Sequence, residues 1–166
     1  ILQFGSDEEV LVSTDMFMEG VHFDLTYFPL KHLGYKAVVA NISDIYAMNG
    51  TPKQITVSLA LSRKFCIEDI EELYSGIELA CRQYGVDLIS LIAPTSRERI
   101  SMIAAEAEGF LYIVSSLGVT GTRTEITTDL DAIVRVVRQN TEIPCAIGFG
   151  ISTPEQARKM AAVSDG

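Results

Sequence analysis

The sequence predicts an α/β fold. An α+β first segment with a mixed sheet comes first, and a run of consecutive parallel βα units follows. Three observations carry this. Apolar residues make up 48% of the 166 residues and charged residues 21%, enough for a sizeable core. One amphipathic helix stands out, with Ile67, Ile70, Leu73, Tyr74, Ile77, Ala80, Cys81 and Tyr84 repeating at three and four. From Val86 onward strand and helix patterns alternate three times, which requires parallel pairing with right-handed crossovers.

The elements follow in order. Val10 to Asp15 reads as a short strand ending in polar residues, and Asp24 to Leu33 as an irregular aromatic stretch broken by Pro29. Lys31 to Met48 has a helical pattern stopped by Asn49-Gly50 and Pro52. Gln54 to Ser62 alternates as a strand should. The helix over 67–84 ends at Gly85, the residue that most easily takes a left-handed conformation. Val86 to Ala93 is expected to be one buried strand. Thr95-Ser-Arg-Glu98 has capping-box form and opens a helix to about Ala107. Phe110 to Ser115 is the next strand, and Thr128 begins a helix through Val137. Cys145 to Phe149 is the last full strand. Ser152-Thr-Pro-Glu155 is a second capping box, opening a helix to Val163. The chain opens on Ile-Leu-Gln and stops at Ser164-Asp165-Gly166, where a further strand should begin, so it reads as a fragment.

Charge and cysteine content narrow the function. A net charge of −9 argues against nucleic acid or an anionic membrane surface as partner. No apolar run is long enough to span a bilayer, and no signal peptide opens the chain. Cys66, Cys81 and Cys145 have no metal-type spacing and read as buried thiols of a reducing, cytoplasmic protein. Basic residues change character near position 90: four Lys and two Arg precede it, one Lys and six Arg follow. That shift is either chance within one domain or the mark of two segments, 1–89 and 90–166.

Each segment carries a candidate site. In the first, Asn41-Ile-Ser-Asp44 interrupts an apolar helix with polar groups, and Thr14-Asp15 ends a strand. Two carboxylates from different elements suit Mg²⁺ with substrate phosphates; capping and backbone satisfaction are the other use of such residues. His22, between Val21 and Phe23, has the setting of a satisfied structural histidine. In the second segment Gly118-Val-Thr-Gly121 and Gly148-Phe-Gly150 follow successive strands. Glycines there let backbone N–H groups reach an anion, or they simply make tight turns.

Two resemblances sharpen these readings. Thr14-Asp15, Glu19-Gly-Val-His-Phe23, Gly34-Tyr-Lys-Ala37 and Asn41-Ile-Ser-Asp-Ile-Tyr-Ala-Met48 resemble the N-terminal domain of thiamine-monophosphate kinase. That likeness implies Mg²⁺- and ATP-dependent phosphoryl transfer, with Thr14, Asp15 and Asp44 at the metal and His22 at the substrate. It also implies a homodimer, which unpaired strand edges favour as well. Leu91-Ile-Ala-Pro-Thr-Ser96, Gly109 to Ser115, Gly118-Val-Thr-Gly121 and Gly148-Phe-Gly-Ile-Ser-Thr-Pro154 resemble the tryptophan synthase alpha subunit, over the later part of a TIM barrel. This implies a phosphate site at Gly121 and Gly150 and a pocket lined by Tyr112, Thr120 and Phe149, taking a phosphorylated small molecule. Together they read as a chimera joined at residues 84–90, with both sites incomplete. The alternative is a catalytically inactive chimeric or artefactual fold that at most binds a phosphorylated small molecule.

Overall fold

The computed structural model describes residues 9–115 and 129–166. These divide into two compact units, one extending to Leu88 and the other running from Ile89 to Gly166.

The first unit contains helix α1 (Leu30–Ala47), strand β1 (Gln54–Ile55), helix α2 (Ile67–Tyr84) and strand β2 (Asp87–Leu88). β1 and β2 pair in parallel, Gln54 opposite Asp87 and Ile55 opposite Leu88, so β1-α2-β2 is a βαβ unit. α2 starts where the Cys66 amide donates to Asp69 Oδ2 at 2.9 Å. It ends at Gly85, whose φ of 64° turns the chain out of the helix. Its apolar stripe packs on α1: Leu33, Val38 and Ile42 meet Leu73, Ile77, Ala80 and Cys81. The two helices touch backbone to backbone. A Cβ on Gly34 would overlap the Leu73 carbonyl oxygen, and one on Gly76 would overlap that of Lys31.

Several sequence expectations fail in this unit. The sheet is two-stranded and parallel, not mixed. Residues 10–15 form no strand, and of 54–62 only Gln54 and Ile55 do. Alternation defines a face, but a strand also needs a neighbouring backbone to take its hydrogen bonds. Past Ile55 no such neighbour exists among the described residues, and Leu59 and Leu61 stand exposed. Cys66, expected to be buried, is exposed at the start of α2; Cys81 and Cys145 are buried as expected.

The second unit is strand β3 (Ser90–Ile92), helix α3 (Arg97–Glu106), strand β4 (Leu111–Val114), helix α4 (Leu130–Arg138), strand β5 (Cys145–Gly148) and helix α5 (Pro154–Ala161). Its sheet is parallel throughout, in the order β3-β4-β5. The single strand expected over 86–93 is interrupted at Ile89, and its two parts, β2 and β3, belong to separate sheets. Leu111, Ile113, Cys145 and Ile147 share one buried face with Ile92 and pack on Ile100, Ala104, Ile133, Val134, Val137 and Met160. Tyr112, Ala146 and Gly148 alternate onto the opposite face. The helix starts fall one residue from the expected capping boxes. Ser96 caps α3 by accepting from the Arg99 amide at 3.3 Å, Asp129 caps α4 through the Ala132 amide at 3.0 Å, and Thr153 caps α5 through the Gln156 amide at 3.2 Å. The last residues do begin to line up beside β5. Asp165 donates its amide to the Cys145 carbonyl at 2.9 Å, and the Ile147 amide donates to the Gly166 carbonyl at 2.8 Å. Among the described residues no helix is long and apolar enough to cross a membrane.

Candidate functional site

The polar string in α1 is satisfied locally. Asn41 Nδ2 donates to the Ala37 carbonyl at 3.0 Å and Ser43 Oγ to that of Ala40 at 2.7 Å, the back-bonding that polar residues make inside helices. Asp44 is exposed and accepts from Ser13 Oγ at 2.9 Å. Thr14 and Asp15 are exposed as well. Among the described residues no three His, Cys, Asp or Glu side chains gather as metal ligands. The helix absorbs the polar groups of Asn41 and Ser43, while Asp44 reaches out of it to Ser13, next to Thr14 and Asp15 in the chain. His22 fastens a turn instead. Its Nδ1 accepts from the Met18 amide at 3.1 Å, and its carbonyl accepts from Lys36 Nζ at 3.1 Å. That ammonium lies 5.7 Å from the Phe17 ring centroid and 5.5 Å from that of Phe28, tying residues 17–28 to α1.

The second constellation is placed differently. Val114 and Gly148 are register partners, so the segments that leave β4 and β5 emerge side by side at the C-terminal edge of the sheet. In parallel βα folds that edge is where ligands bind. Phe149 and Gly150 follow β5 with φ of 77° and 75°. Left-handed backbone is unremarkable for glycine and uncommon for phenylalanine, so something holds the turn. Ser115, just past β4, grips it twice: its amide donates to the Gly148 carbonyl at 3.1 Å, and its hydroxyl donates to the Phe149 carbonyl. Ser115 is 1% exposed, a polar residue at a core position. The amides of Gly150 and Ile151 have no protein acceptor among the described residues. Tyr112 lies alongside, its phenol so close to Gly148 that a Cβ there would overlap it. Gly148 therefore makes room for a ring, and Gly150 makes the turn.

The start of α5 contributes less than its capping pattern promised. The Ser152 and Thr153 amides both donate to Gln156 Oε1, at 2.8 and 3.2 Å. They are turned toward their own helix. Thr120 and Gly121, with Gly118, lie outside the described residues. The structure thus brings Tyr112, Phe149 and Gly150 together. Sequence reasoning missed Ser115, although its polar side chain continues the buried parity of Leu111 and Ile113.

A clamp sits at the opposite end of β5. Asp165 Oδ2 accepts from the Cys145 amide at 2.8 Å and from the Arg138 guanidinium. The amide and then the guanidinium hold its carboxyl below the usual carboxylate range. Burial pushes the Cys145 thiol up, which keeps it neutral.

Comparison with known proteins places the chain. The family model described as tryptophan synthase alpha chain matches residues 26–166. The tryptophan synthase alpha chain of Lacticaseibacillus casei is 55% identical over 84 residues, 51% of this chain and 32% of that protein. That of Lactiplantibacillus plantarum is 60% identical over 84 residues, 50% of this chain and 32% of that protein. The chain thus spans about a third of the length of these curated relatives. Among solved structures, the tryptophan synthase subunit alpha from Campylobacter jejuni superposes with a TM-score of 0.53 at 24% identity, over 86% of this chain and 50% of that one, a likeness of fold. A chain of the tryptophan synthase a2b2 complex from Pyrococcus furiosus gives 0.51 at 26% identity, over 84% and 52%. These matches correct the reading of the first segment. The alpha-chain model runs from residue 26 through α1 and α2, the stretch taken to resemble thiamine-monophosphate kinase, so neither a kinase segment nor a chimera stands. Mg²⁺ and ATP, implied with Thr14, Asp15, Asp44 and His22 by the kinase resemblance, find no support in the family match, which begins after His22. The whole run of βα units from α1 to α5 is one family's pattern, and the chain belongs to the tryptophan synthase alpha chain family.

Proposed function

We propose that the chain supplies the phosphate-holding share of a tryptophan synthase alpha-type site, for a substrate that ends in a phosphomonoester as indole-glycerol phosphate does. The observation that carries this reading is the Phe149–Gly150 turn at the C-terminal edge of a parallel sheet, with its positive φ angles and with amides of Gly150 and Ile151 that have no acceptor among the described residues. Amides without a protein acceptor, on a backbone with no Cβ in the way at Gly150, are what an anionic oxygen needs. Tyr112 and the Phe149 ring give aromatic surface for the indole end. Gly121 and Thr120 are assigned to the same pocket by the family resemblance alone. The share proposed is binding and orientation, the part of catalysis that positioning supplies. The Pyrococcus furiosus relative comes from an a2b2 complex, and we extend that pairing to this chain as its protein partner, to be tested by co-purification with a beta subunit.

Titration with glycerol 3-phosphate, followed by amide NMR, tests the site. The Gly150 and Ile151 resonances shift with a dissociation constant of about 1 mM, near −4 kcal/mol. Gly150→Val abolishes the shifts by blocking backbone approach, and Asp15→Asn leaves them unchanged. Shifts confined to the surroundings of Asp15 and Asp44 would overturn the assignment.

A further inference from the structure

The turn that presents these amides does not hold itself. Its first residue is a phenylalanine at φ 77°, a left-handed conformation that a non-glycine residue adopts only at a cost. Nothing in the sequence of the turn offsets that cost. The offsetting contacts come from the neighbouring strand's exit. Ser115 is buried to 1% exposure, where a hydroxyl without a partner would be costly. Its partner is the Phe149 carbonyl, the oxygen between the two left-handed residues. Its amide takes the preceding carbonyl, that of Gly148, at 3.1 Å. Two successive carbonyls of the turn are thus fixed by one residue of the adjacent βα loop. With those two carbonyls held, the Phe149–Gly150 peptide has one orientation.

We infer that Ser115 is a positioning residue of the ligand site: its hydroxyl holds the Phe149 carbonyl and so keeps the Phe149–Gly150 turn in the form that offers its amides to a phosphorylated ligand. This rests on the phosphate-holding role proposed above. Ser115 itself touches no ligand. Its variants should change affinity for glycerol 3-phosphate by changing the backbone of residues 149–150, not by removing a contact.

The experiment compares Ser115→Val with Ser115→Thr in the full chain. The two side chains have nearly the same volume and differ in the hydroxyl, so any overpacking is common to both; Ser115→Ala is the smaller control. Two readouts are taken. The intraresidue Hα–HN Overhauser effect of Phe149 is strong at positive φ and weak otherwise, and it reports the turn without ligand. Glycerol 3-phosphate titration reports affinity. The effect at Phe149 is expected to be strong in the parent and in Ser115→Thr, and weak in Ser115→Val and Ser115→Ala. Affinity should fall about tenfold in the two variants without a hydroxyl, equivalent to about 1.4 kcal/mol. A Phe149 signal and an affinity that are unchanged in Ser115→Val and Ser115→Ala, with only the melting temperature lowered, would reduce Ser115 to a structural residue and overturn the inference. If the parent protein fails to bind glycerol 3-phosphate while the Phe149 signal still depends on the hydroxyl, the phosphate reading falls and the hold of Ser115 on the turn stands.

Discussion

Gly34 and Gly76 make opposite demands on the same substitution. Replacing a mid-helix glycine with alanine gains about 0.5–1 kcal/mol of helix propensity. Here each Cβ would strike the carbonyl of the facing helix, and forcing it in costs about 1–3 kcal/mol. The clash wins: Gly34→Ala and Gly76→Ala should each lower stability by roughly 1–2 kcal/mol, read by chemical denaturation. Asp165 makes a pH-dependent contribution. Its folded pKa is depressed, so the stabilisation is fully present above its unfolded pKa and is lost as the pH falls through the folded one. The Asp165 side chain is 43% exposed, so solvent screening limits the effect to about 0.5–1 kcal/mol. Asp165→Asn should cost that much at neutral pH and nothing in strong acid, seen as converging denaturation midpoints. Cys66 gives a simpler contrast. It is the exposed thiol, while Cys81 and Cys145 are buried, so a disulfide reagent should titrate one thiol in the native protein and all three after unfolding. Rapid reaction of two or more native thiols would contradict the burial.

At the scale of elements, what a short stretch of chain decides by itself could be read in advance. The amphipathic period of α2 and its glycine stop are local, and they appear where the pattern put them. The two expected helix caps were legible to within one residue, though of them only α5 forms the reciprocal box, while α3 has a simple Ser96 cap. The ambiguity lay in which of two adjacent hydroxyls, Thr95 or Ser96, Ser152 or Thr153, turns back to accept the third amide, and backbone angles settle that. In α5 the reciprocal Thr153–Gln156 cap has a functional side. Because Gln156 occupies the Ser152 and Thr153 amides, the proposed ligand site rests on the turn at 149–150 and not on the helix end. Thr153→Ala should therefore cost about 1 kcal/mol of stability and leave glycerol 3-phosphate affinity unchanged; a parallel loss of affinity would assign the helix end a direct role.

For the molecule as a whole, the parallel βα rhythm after Val86 was visible because each unit repeats a local pattern. Pairing was not. Residues 10–15 carry an apolar run and 56–62 alternate as strands do, yet a strand is completed by a partner that its own sequence does not name. The candidate site divided the same way. Gly150 was singled out through the glycine loop and Phe149 through the family resemblance, while Ser115 escaped notice because its contact is with a carbonyl 34 residues away. The polar string of α1 misled because residues that satisfy a helix's own carbonyls are the same types that hold a metal. The outer edge of β3 has no strand beside it among the described residues, and exposed edges invite pairing. A net charge of −9 opposes such association at low ionic strength. Light scattering should accordingly give an average mass that rises with salt and protein concentration; a constant monomer mass across both would remove the case for self-association.

The backbone contact between α1 and α2 also restricts how that part of the molecule can move. Two helices joined by interdigitating side chains can slide a little along each other, since rotamers adjust as they pass. Gly34 under the Leu73 carbonyl and Gly76 under that of Lys31 form two notches, and any axial slide drives a carbonyl into the next residue's Cβ. Shear is closed to this pair. It stays locked or comes apart as a unit, so amide protons in the middle of both helices should exchange with one common opening free energy.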